Sequence, residues 1–393
     1  MDRLVFFRLS FLALIFFFLF SCGWKPPSGN QNEDSVLKIC FEAECMEKML
    51  LTLIQNAHEK IELALYGFEG NPGLTEALIQ AKKRKVNLEI VSDFDSEIQD
   101  GFQSLILEKM KNLPGEGIIS LRFGNTNAIM HNKYMIVDSK WVLTGSTNWT
   151  DGIQTHFNHM ILLKNPLLAK EYQKDFKKMF QEGLFSTDKD NDGVIPDWVI
   201  GTYQTGIYPV QVFFTPYKDF YPETFYDDPD TPAVDPIEIT VQNAFSEILP
   251  LVSQAKKRIM IFAFSFTDRL LMETLFNLHQ NQNIEIKIWL DQSQYQSNYN
   301  SAGRRIEKLK QAGIQIKITQ KPDGLLHHKM IAIDDQVLII GSLNFSNNAV
   351  TSNDENFLIL KNASSLIDEF EKEAARIDEY SNDLVIRNEG ESE

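Results

Sequence analysis

The amino-acid sequence predicts an α/β protein made of two related halves. Apolar runs typical of strands alternate along the chain with helical patterns, and this alternation favours the α/β class. A polar pattern also recurs in the second half of the chain with every spacing preserved. Together these observations indicate an internal duplication. The helical patterns are expected over residues 47–58, 74–83, 244–255 and 304–312.

The repeated pattern consists of chemically reactive and polar residues. A packing constraint would repeat apolar positions, but it gives no reason to repeat imidazole, ammonium and amide groups in register. Shared chemistry does give one. The members in the first half are His131, Lys133, Asp138, Gly145, Ser146 and Asn148, and those in the second half are His327, Lys329, Asp334, Gly341, Ser342 and Asn344.

Each histidine of the repeat stands two residues before its lysine, ahead of an apolar run that is typical of a strand entering a core. On a strand, side chains at positions i and i+2 project to the same side. We therefore expect His131 and Lys133 to face one pocket, and His327 and Lys329 to do the same. His328, between the second pair, should point the other way.

Two imidazoles and two ammonium groups are suited to a tetrahedral oxyanion, most simply a phosphate diester. One histidine can attack phosphorus while the other protonates the leaving alcohol, because neutral and cationic imidazole are both accessible near neutral pH. The lysines and the amides of Asn148 and Asn344 can hold the phosphoryl oxygens and offset their charge. We expect the reaction to require no cofactor.

Glycine and serine follow the strand after each motif. Gly145 and Gly341 lie where this strand gives way to a turn. The missing Cβ should allow the backbone to approach a bound oxyanion. The hydroxyls of Ser146 and Ser342 are expected to become available donors at the same place.

Both copies resemble the HKD motif of the phospholipase D superfamily, including the Gly-Ser-x-Asn that follows it. The resemblance extends over residues 36–185 and 208–383. Ahead of the motifs, residues 60–68 match 258–266, and the run ending in Asp93 matches the run ending in Asp291.

The resemblance implies an α/β fold in which each half is a mixed β-sheet flanked by helices, with a pseudo-twofold axis that brings both motifs into one cleft. It implies a phosphodiesterase of phospholipase D type, with His131 as the nucleophile that forms a phosphohistidine and His327 as general acid and then base. The alternatives are a metal-independent endonuclease, a phosphatidyltransferase and a non-catalytic lipoprotein that binds phosphorylated ligands. The motif recognises the phosphate alone, so lipid and nucleic-acid substrates both stay open.

The two halves differ in the segment after the motif, where Asn158 stands in the first half and Glu355 in the second. In two-motif members such a carboxylate can act across the pseudo-twofold axis. We therefore expect Glu355 to support His131, because a carboxylate stabilises a cationic phosphohistidine. Asn158 should serve His327 as a neutral acceptor.

Other polar residues near the motifs have supporting roles in this interpretation. Asp138 and Asp334 complete the catalytic motif, but a second negative charge beside a phosphate would repel it. They are expected to hold backbone or ring donors in place. His156 and His159, just beyond the first motif, are candidates for supporting positions near the cleft.

The N-terminus resembles a bacterial lipoprotein signal, with Cys22 as the lipidated residue. Its apolar run is too short to span a bilayer comfortably and has the length of a signal-peptide core. This predicts an exported protein anchored in the cell envelope; an uncleaved anchor and ordinary export are the alternatives. In an oxidising compartment Cys40 and Cys45 could pair, whereas two thiols with no nearby histidine fall short of a zinc site.

The formal net charge is −16 at pH 7. Such an acidic chain disfavours tight nonspecific binding of nucleic acid over a broad surface, although a local basic cleft could still bind it. Asp188, Asp190 and Asp192 alternate ahead of a glycine and resemble the first half of a calcium loop. A structural calcium ion and a solvated acidic turn are the two interpretations of this stretch.

The chain is expected to act as a monomer, since it supplies both halves of the site. The predicted organisation is a signal peptide (1–21), a tether (22–35), a first phospholipase D-like domain (36–185), an acidic linker (186–207), a second such domain (208–385) and a tail (386–393).

Overall fold

The computed structural model describes residues 36–68, 71–93, 116–124, 128–190, 202–216 and 244–387. Residues Ser35–Glu393 form one compact unit. The predicted signal peptide, Cys22 and the tether to residue 35 lie outside the described residues, as do Asp192 and the end of the predicted tail. In the described ranges, no helix is both long enough and apolar enough to cross a bilayer.

The first half contains a seven-stranded mixed sheet among the described residues. Its strands lie in the order β1-β7-β6-β5-β2-β3-β4. β2, β3 and β4 are parallel neighbours, and the other pairs are antiparallel. The strands are β1 (Val36–Cys40), β2 (Lys60–Leu65), β3 (Asn87–Ser92), β4 (Ile119–Phe123), β5 (Lys133–Val137), β6 (Trp141–Gly145) and β7 (Met160–Lys164).

The second half repeats this order as β9-β15-β14-β13-β10-β11-β12, with β8 added beside β9 and β16 beside β12. The duplication and the mixed sheets expected from the sequence are confirmed. The strands are β8 (Tyr203–Thr205), β9 (Tyr208–Thr215), β10 (Arg258–Ala263), β11 (Glu285–Asp291), β12 (Gln315–Thr319), β13 (Lys329–Ile333), β14 (Val337–Gly341), β15 (Glu355–Lys361) and β16 (Ser381–Asp383).

Helices cover the sheets, and the four predicted from the sequence are present with ends shifted by a few residues. The described helices are α1 (Ala43–Gln55), α2 (Pro72–Lys83), α3 (Gly152–Thr155), α4 (Pro166–Lys177), α5 (Ala244–Ser253), α6 (Arg269–Gln282), α7 (Gln292–Ser297), α8 (Arg304–Gln311), α9 (Asn347–Thr351) and α10 (Ser364–Asp378). Asn165 shows how such a helix begins: its side chain accepts the N–H groups of Leu167 and Leu168, and Pro166 follows as the first helical residue.

α4 and α10 belong to a core that both halves share. α10 buries Leu366, Phe370 and Ile377 along one stripe, as expected for an amphipathic helix. These side chains join one apolar cluster with residues from both sheets, for example Ile136 of β5 and Ala332 of β13. α1 and α2 cover the other face of the first sheet, and α5, α6 and α8 that of the second. The halves are therefore packed against each other over apolar surface.

Two local features differ from, or complete, the sequence interpretation. Cys40 at the end of β1 is disulfide-bonded to Cys45 in α1, with a Cα–Cα distance of 5.8 Å. The predicted acidic linker is partly built into the fold, since residues 186–190 form a 3₁₀ turn and its last residues form β8 in the second sheet.

The calcium hypothesis falls largely on residues that are not described. Asp192 and the side chain of Asp190 lie outside the description. Asp188 stands beside Lys189, which is fully buried. Among the described residues, no group of three or more histidine, cysteine or acidic side chains is arranged to hold a metal ion.

Candidate active site

The two motifs begin the central antiparallel strands of their sheets. Lys133 is the first residue of β5 and pairs with Leu65 of β2, and Lys329 is the first residue of β13 and pairs with Ala263 of β10. All four motif side chains are buried, with 5% of each histidine exposed. The strand prediction and the common facing of each His–Lys pair are confirmed by this geometry.

The backbone of each histidine is held by the other half of the chain. The N–H of His131 donates to the carbonyl oxygen of Asp354 at 2.9 Å, and the N–H of His327 donates to that of Phe157 at 2.9 Å. Short parallel bridges accompany these bonds on both sides. The motifs therefore meet at the seam between the halves.

A buried carboxylate supports the residue before each histidine. Asp93, just after β3, accepts the N–H of Met130 at 2.7 Å. Asp291, at the end of β11, accepts the N–H of Leu326 at 2.9 Å. Alignment of the two halves of the sequence matches Asp93 with Asp291, but the sequence analysis assigns these residues no role. The signal available in the sequence was that each aspartate ends an apolar run that is repeated in the other half.

The imidazole rings are held across the pseudo-twofold axis, as the sequence predicts. Nδ1 of His131 lies 2.7 Å from Oε1 of Glu355. Nδ1 of His327 lies 2.9 Å from Oδ1 of Asn158. With Nδ1 occupied in both rings, Nε2 is the nitrogen that can react.

The serine hydroxyls support this arrangement from within the fold. Oγ of Ser146 donates to Oδ1 of Asn158 at 3.0 Å and accepts the N–H of His159 at 3.1 Å. Oγ of Ser342 accepts the N–H of Asn356 at 3.0 Å. The expectation that these hydroxyls are available to the substrate is therefore wrong for Ser146, which orients the acceptor behind His327.

Gly145 and Gly341 are required for a different reason from the one expected. A Cβ on Gly145 would lie 2.2 Å from the carbonyl oxygen of His159, and a Cβ on Gly341 would lie 2.3 Å from that of Asn356. The missing Cβ allows the neighbouring strand to approach. Its role is in strand pairing, and the interpretation as an oxyanion contact is corrected.

Asp138 and Asp334 lie beyond the far ends of β5 and β13, away from the histidines. Their carboxylates accept backbone N–H groups at the starts of β2 and β10. The assignment of these aspartates to the reacting groups is corrected, while the expectation that they hold backbone donors is confirmed. The donors are His58, Glu59 and Lys60 for Asp138, and Lys256, Lys257 and Arg258 for Asp334.

The amides of Asn148 and Asn344 have hydrogen-bonding capacity that the fold leaves unused. In each half Oδ1 is buried without a partner among the described residues. A buried polar group without a partner costs free energy unless a ligand or water satisfies it. An amide oxygen accepts hydrogen bonds, so these atoms could be satisfied by a water molecule or a substrate hydroxyl group. The predicted contact with phosphoryl oxygens would use the Nδ2 groups instead, and it stays a prediction.

Aromatic rings form a wall beside each His–Lys pair. The Tyr66 ring lies 4.9 Å from both the His131 ring and Nζ of Lys133. Phe264 repeats this at 4.8 Å from the His327 ring and 4.7 Å from Nζ of Lys329. Sequence reasoning matched these aromatic positions but did not assign them to the site.

A pair of buried histidines lies behind the second motif. His328 points away from the cleft, as predicted, and its Nε2 lies 2.9 Å from Oε1 of Glu373. Its Nδ1 is 3.1 Å from Nδ1 of His159. On the other side of the pseudo-twofold axis, the corresponding contact joins the amides of Asn132 and Asn356 at 2.7 Å. His159 is thus a supporting residue beneath the site.

The electrostatics of the cluster favour an anionic ligand. Burial and the nearby cations lower the pKa values of His131 and His327 well below the ordinary range. Burial lowers the pKa of Lys133 to about 7, and burial with Lys133 lowers that of Lys329. Burial also raises the pKa of Glu355 to about 8. A bound phosphate would bring negative charge next to the two histidines and two lysines, and this charge would favour their protonated forms.

Comparison with known proteins places both halves in one family. The model of the "cardiolipin synthase, PLD-like domain" matches residues 50–180 and again 248–377. The two matched segments together cover more than half of the chain, and each contains one HKD motif.

Curated relatives match one part of the chain. The mitochondrial cardiolipin hydrolase of Xenopus laevis is 29% identical over 134 residues, which cover 34% of this chain and 60% of the relative. A phospholipase D of Rickettsia bellii is 30% identical over 112 residues, which cover 28% of this chain and 53% of the relative. The chain therefore spans 60% or less of these relatives.

A solved structure matches nearly the whole chain. The phosphatidylserine synthase of Haemophilus influenzae has a TM-score of 0.65 at 15% identity, covering 90% of this chain and 88% of its own. This likeness shows a common fold through both halves. With the same domain matched twice and both HKD motifs at the seam between the halves, the chain belongs to the phospholipase D superfamily.

Proposed function

We propose that the protein is a phosphodiesterase of phospholipase D type, which hydrolyses phospholipid phosphodiester bonds through a phosphohistidine. The observation that carries the proposal is the pair of buried imidazoles, each held at Nδ1 by an acceptor from the opposite half. Among the described residues, this arrangement leaves Nε2 free in both rings, and we propose that both Nε2 atoms act on one phosphate.

In the first step, Nε2 of His131 attacks phosphorus and the bond from phosphorus to the leaving alcohol breaks. His327 gives its proton to the departing oxygen. The substrate's negative charge offsets the repulsion among the basic groups, and this offset allows His327 to carry that proton. Glu355 stabilises the cationic ring of the phosphohistidine, whereas the neutral Asn158 leaves His327 able to release its proton.

In the second step, water attacks phosphorus, His327 accepts a proton from it and the bond to His131 breaks. Lys133, Lys329 and the two asparagine amides hold the phosphoryl oxygens and offset the charge that builds in the transition state. These groups supply the acid, the base and the positive charge, so we propose that the reaction requires no metal ion.

The proposed substrate is a phospholipid. The names of the two relatives, cardiolipin hydrolase and phospholipase D, support this choice. We also propose that Cys22 carries a lipid that anchors the protein to the membrane of the cell envelope, and that the protein acts as a monomer.

The test is turnover of several diesters by the full chain in detergent. Phosphatidylcholine, cardiolipin and single-stranded DNA are each incubated with excess EDTA, and a His131→Ala variant serves as the control. We expect phosphatidic acid from lipid in EDTA and none from the variant. A requirement for divalent metal on every diester would contradict the mechanism.

The same assay separates the alternatives. Cleavage confined to single-stranded DNA would identify the endonuclease. With phosphatidylcholine as the substrate and glycerol as an acceptor, a phosphatidylglycerol product in place of phosphatidic acid would identify the transferase, in which an alcohol replaces water at the second step. Binding of phosphate ligands without turnover would leave the non-catalytic lipoprotein.

A further inference from the structure

The loop that leads into the second motif lies directly against the first half on the His327 side. The carbonyl oxygen of Leu325 accepts the N–H of Phe157 at 2.8 Å. A Cβ on Gly324 would lie 2.2 Å from the carbonyl oxygen of Thr155. This close approach brings the start of the loop, Lys321, beside the segment that holds His327.

Lys321 is half-buried, and its Nζ lies 4.4 Å from the centre of the Phe157 ring. Phe157 is the residue whose carbonyl oxygen holds the backbone of His327. The neighbouring His156 has its ring 6.0 Å from the His327 ring. Two adjacent residues thus contact the two groups, His156 beside His327 and Phe157 beside Lys321.

These groups place one cation, Lys321, and one imidazole, His156, on the His327 side of the site. Burial, then Lys321 and Lys329, lower the pKa of His156, while Asp291 opposes them. Burial and Arg376 lower the pKa of Lys321, while Glu373 opposes them.

The charge on Lys321 has no ion-pair partner among the described residues. Glu373, the carboxylate that faces it, is bonded to Arg376 at 2.7 Å and to His328 at 2.9 Å. In a chain with a net charge of −16, a half-buried lysine without a carboxylate partner favours an anionic ligand.

The equivalent segment of the first half does not carry this positive charge. The segment that leads into His131, residues 125–130, contains neither lysine nor arginine. The residue equivalent to Phe157 is Asp354, whose carboxylate is bonded to the buried Lys189 at 2.7 Å. In this comparison of the two equivalent segments, the additional positive charge lies on the side of His327, from which the leaving alcohol departs in the proposed mechanism.

We infer that Lys321 and His156 form a second anion subsite, which binds a phosphate carried by the leaving alcohol of a lipid diester. The inference rests on the proposed function, with His327 as the acid. It assigns the substrate class as lipids whose leaving alcohol bears a second phosphodiester, as in cardiolipin. The cationic choline of phosphatidylcholine is repelled at the same place.

Binding of small anions tests the subsite without turnover. Isothermal titration of the full chain in detergent compares propane-1,3-diol bisphosphate with propyl phosphate. We expect the bisphosphate to bind roughly tenfold more tightly, and Lys321→Met to remove that preference. Salt should weaken it, since the lysine is partly exposed. Equal affinities in the wild-type protein would overturn the inference.

Turnover then tests the substrate class. Lys321→Met should lower the ratio of kcat/KM for cardiolipin to kcat/KM for phosphatidylcholine roughly tenfold, and Lys321→Glu should lower it further. The matched control is Lys256→Met. Lys256 is exposed and lies just before β10, whereas the site lies at the other end of this strand, so the variant should leave the ratio unchanged.

The outcomes separate the two proposals. If the wild-type protein hydrolyses both lipids and Lys321→Met keeps the ratio, the subsite is wrong and the phosphodiesterase stands. If the bisphosphate preference depends on Lys321 but no diester is hydrolysed, the subsite stands and the proposed function is wrong. An effect of Lys321→Met confined to single-stranded DNA would overturn the assignment to lipid.

Discussion

At the scale of single residues, Glu355 and Asn158 distinguish two otherwise similar histidines. The two side chains occupy equivalent positions, but one is a carboxylate and the other a neutral amide. Because each contacts Nδ1 of the opposite histidine, the difference in charge is transmitted to the two rings separately. The chemical roles of His131 and His327 in our proposal follow from this difference.

Glu355→Gln should slow formation of the covalent intermediate. The variant keeps the shape of the acceptor but removes a carboxyl group that can ionise when His131 becomes cationic, so kcat should fall roughly 10²- to 10⁴-fold. Acid quenching followed by mass spectrometry of the His131 peptide measures the phosphohistidine. If Glu355→Gln formed the intermediate normally while Asn158→Ala abolished it, the two roles would have to be exchanged.

Anion binding should weaken as the pH rises above 7. Burial lowers the pKa of Lys133 to about 7 in the free protein, and a bound anion favours the charged lysine. Above pH 7 the lysine must therefore take up a proton in order to bind, which costs up to about tenfold in affinity per pH unit. Sulfate is a suitable competitive inhibitor, because its own charge is constant in this range.

The measurement is the inhibition constant of sulfate against lipid hydrolysis between pH 6 and 9. Lys133→Arg is the matched variant, since a guanidinium stays charged throughout and should flatten the rise. An inhibition constant that did not change with pH in the wild-type protein would show that Lys133 is charged before the anion binds.

At the scale of structural elements, the segment between the halves contacts residues that support the site. Nζ of Lys189 lies 2.9 Å from Asp175 of α4 and 2.7 Å from Asp354, which precedes β15. Nζ also donates to the carbonyl oxygen of Thr215 in β9. Since Asp354 holds the backbone of His131, the 3₁₀ turn that carries Lys189 connects both halves to the proposed nucleophile.

Lys189→Met should destabilise the fold. It would leave two buried carboxylates without their cation, and such a loss lowers the free energy of unfolding by about 3–5 kcal/mol. Burial already raises the pKa of Asp354 to about 6 against the effect of Lys189. Removal of the lysine should therefore raise that pKa further.

Urea unfolding measures the change, with Lys170→Met as the control. Lys170 is an exposed lysine of α4, and its replacement should change the free energy of unfolding by less than about 0.5 kcal/mol. A similarly small change for Lys189→Met would mean that the two carboxylates are satisfied without it.

At the scale of the whole molecule, the two sheets share one apolar core in addition to the site at their seam. α4 and α10 contribute to that core together with strands from both halves. Both histidines depend on main-chain carbonyls from the opposite half, so the position of one sheet relative to the other determines the geometry of the reaction.

The proposed lipid anchor is a property of the whole protein in its compartment. Cys22→Ser removes the thiol that would be acylated, and it should move the protein from the detergent phase to the aqueous phase in Triton X-114 partitioning. Incorporation of labelled palmitate should be lost as well. Retention in the detergent phase would favour an uncleaved anchor over lipidation.

Much of the fold and site could be predicted because the relevant patterns are local. The placement of His131 with Lys133, and of His327 with Lys329, follows from the side-chain period of two on a strand. The crossed contacts of Glu355 and Asn158 followed from the family resemblance once the halves were aligned.

The sequence by itself determined the duplication, the strands that begin with the motifs and the residue types of the candidate site, because each of these features depends on residues close together along the chain. Only the tertiary structure decided which carbonyls hold the histidines, that glycine is needed for strand pairing, and where Lys189 and Lys321 lie. These contacts join residues far apart in the chain, and no local periodicity relates such residues before the two sheets pack together.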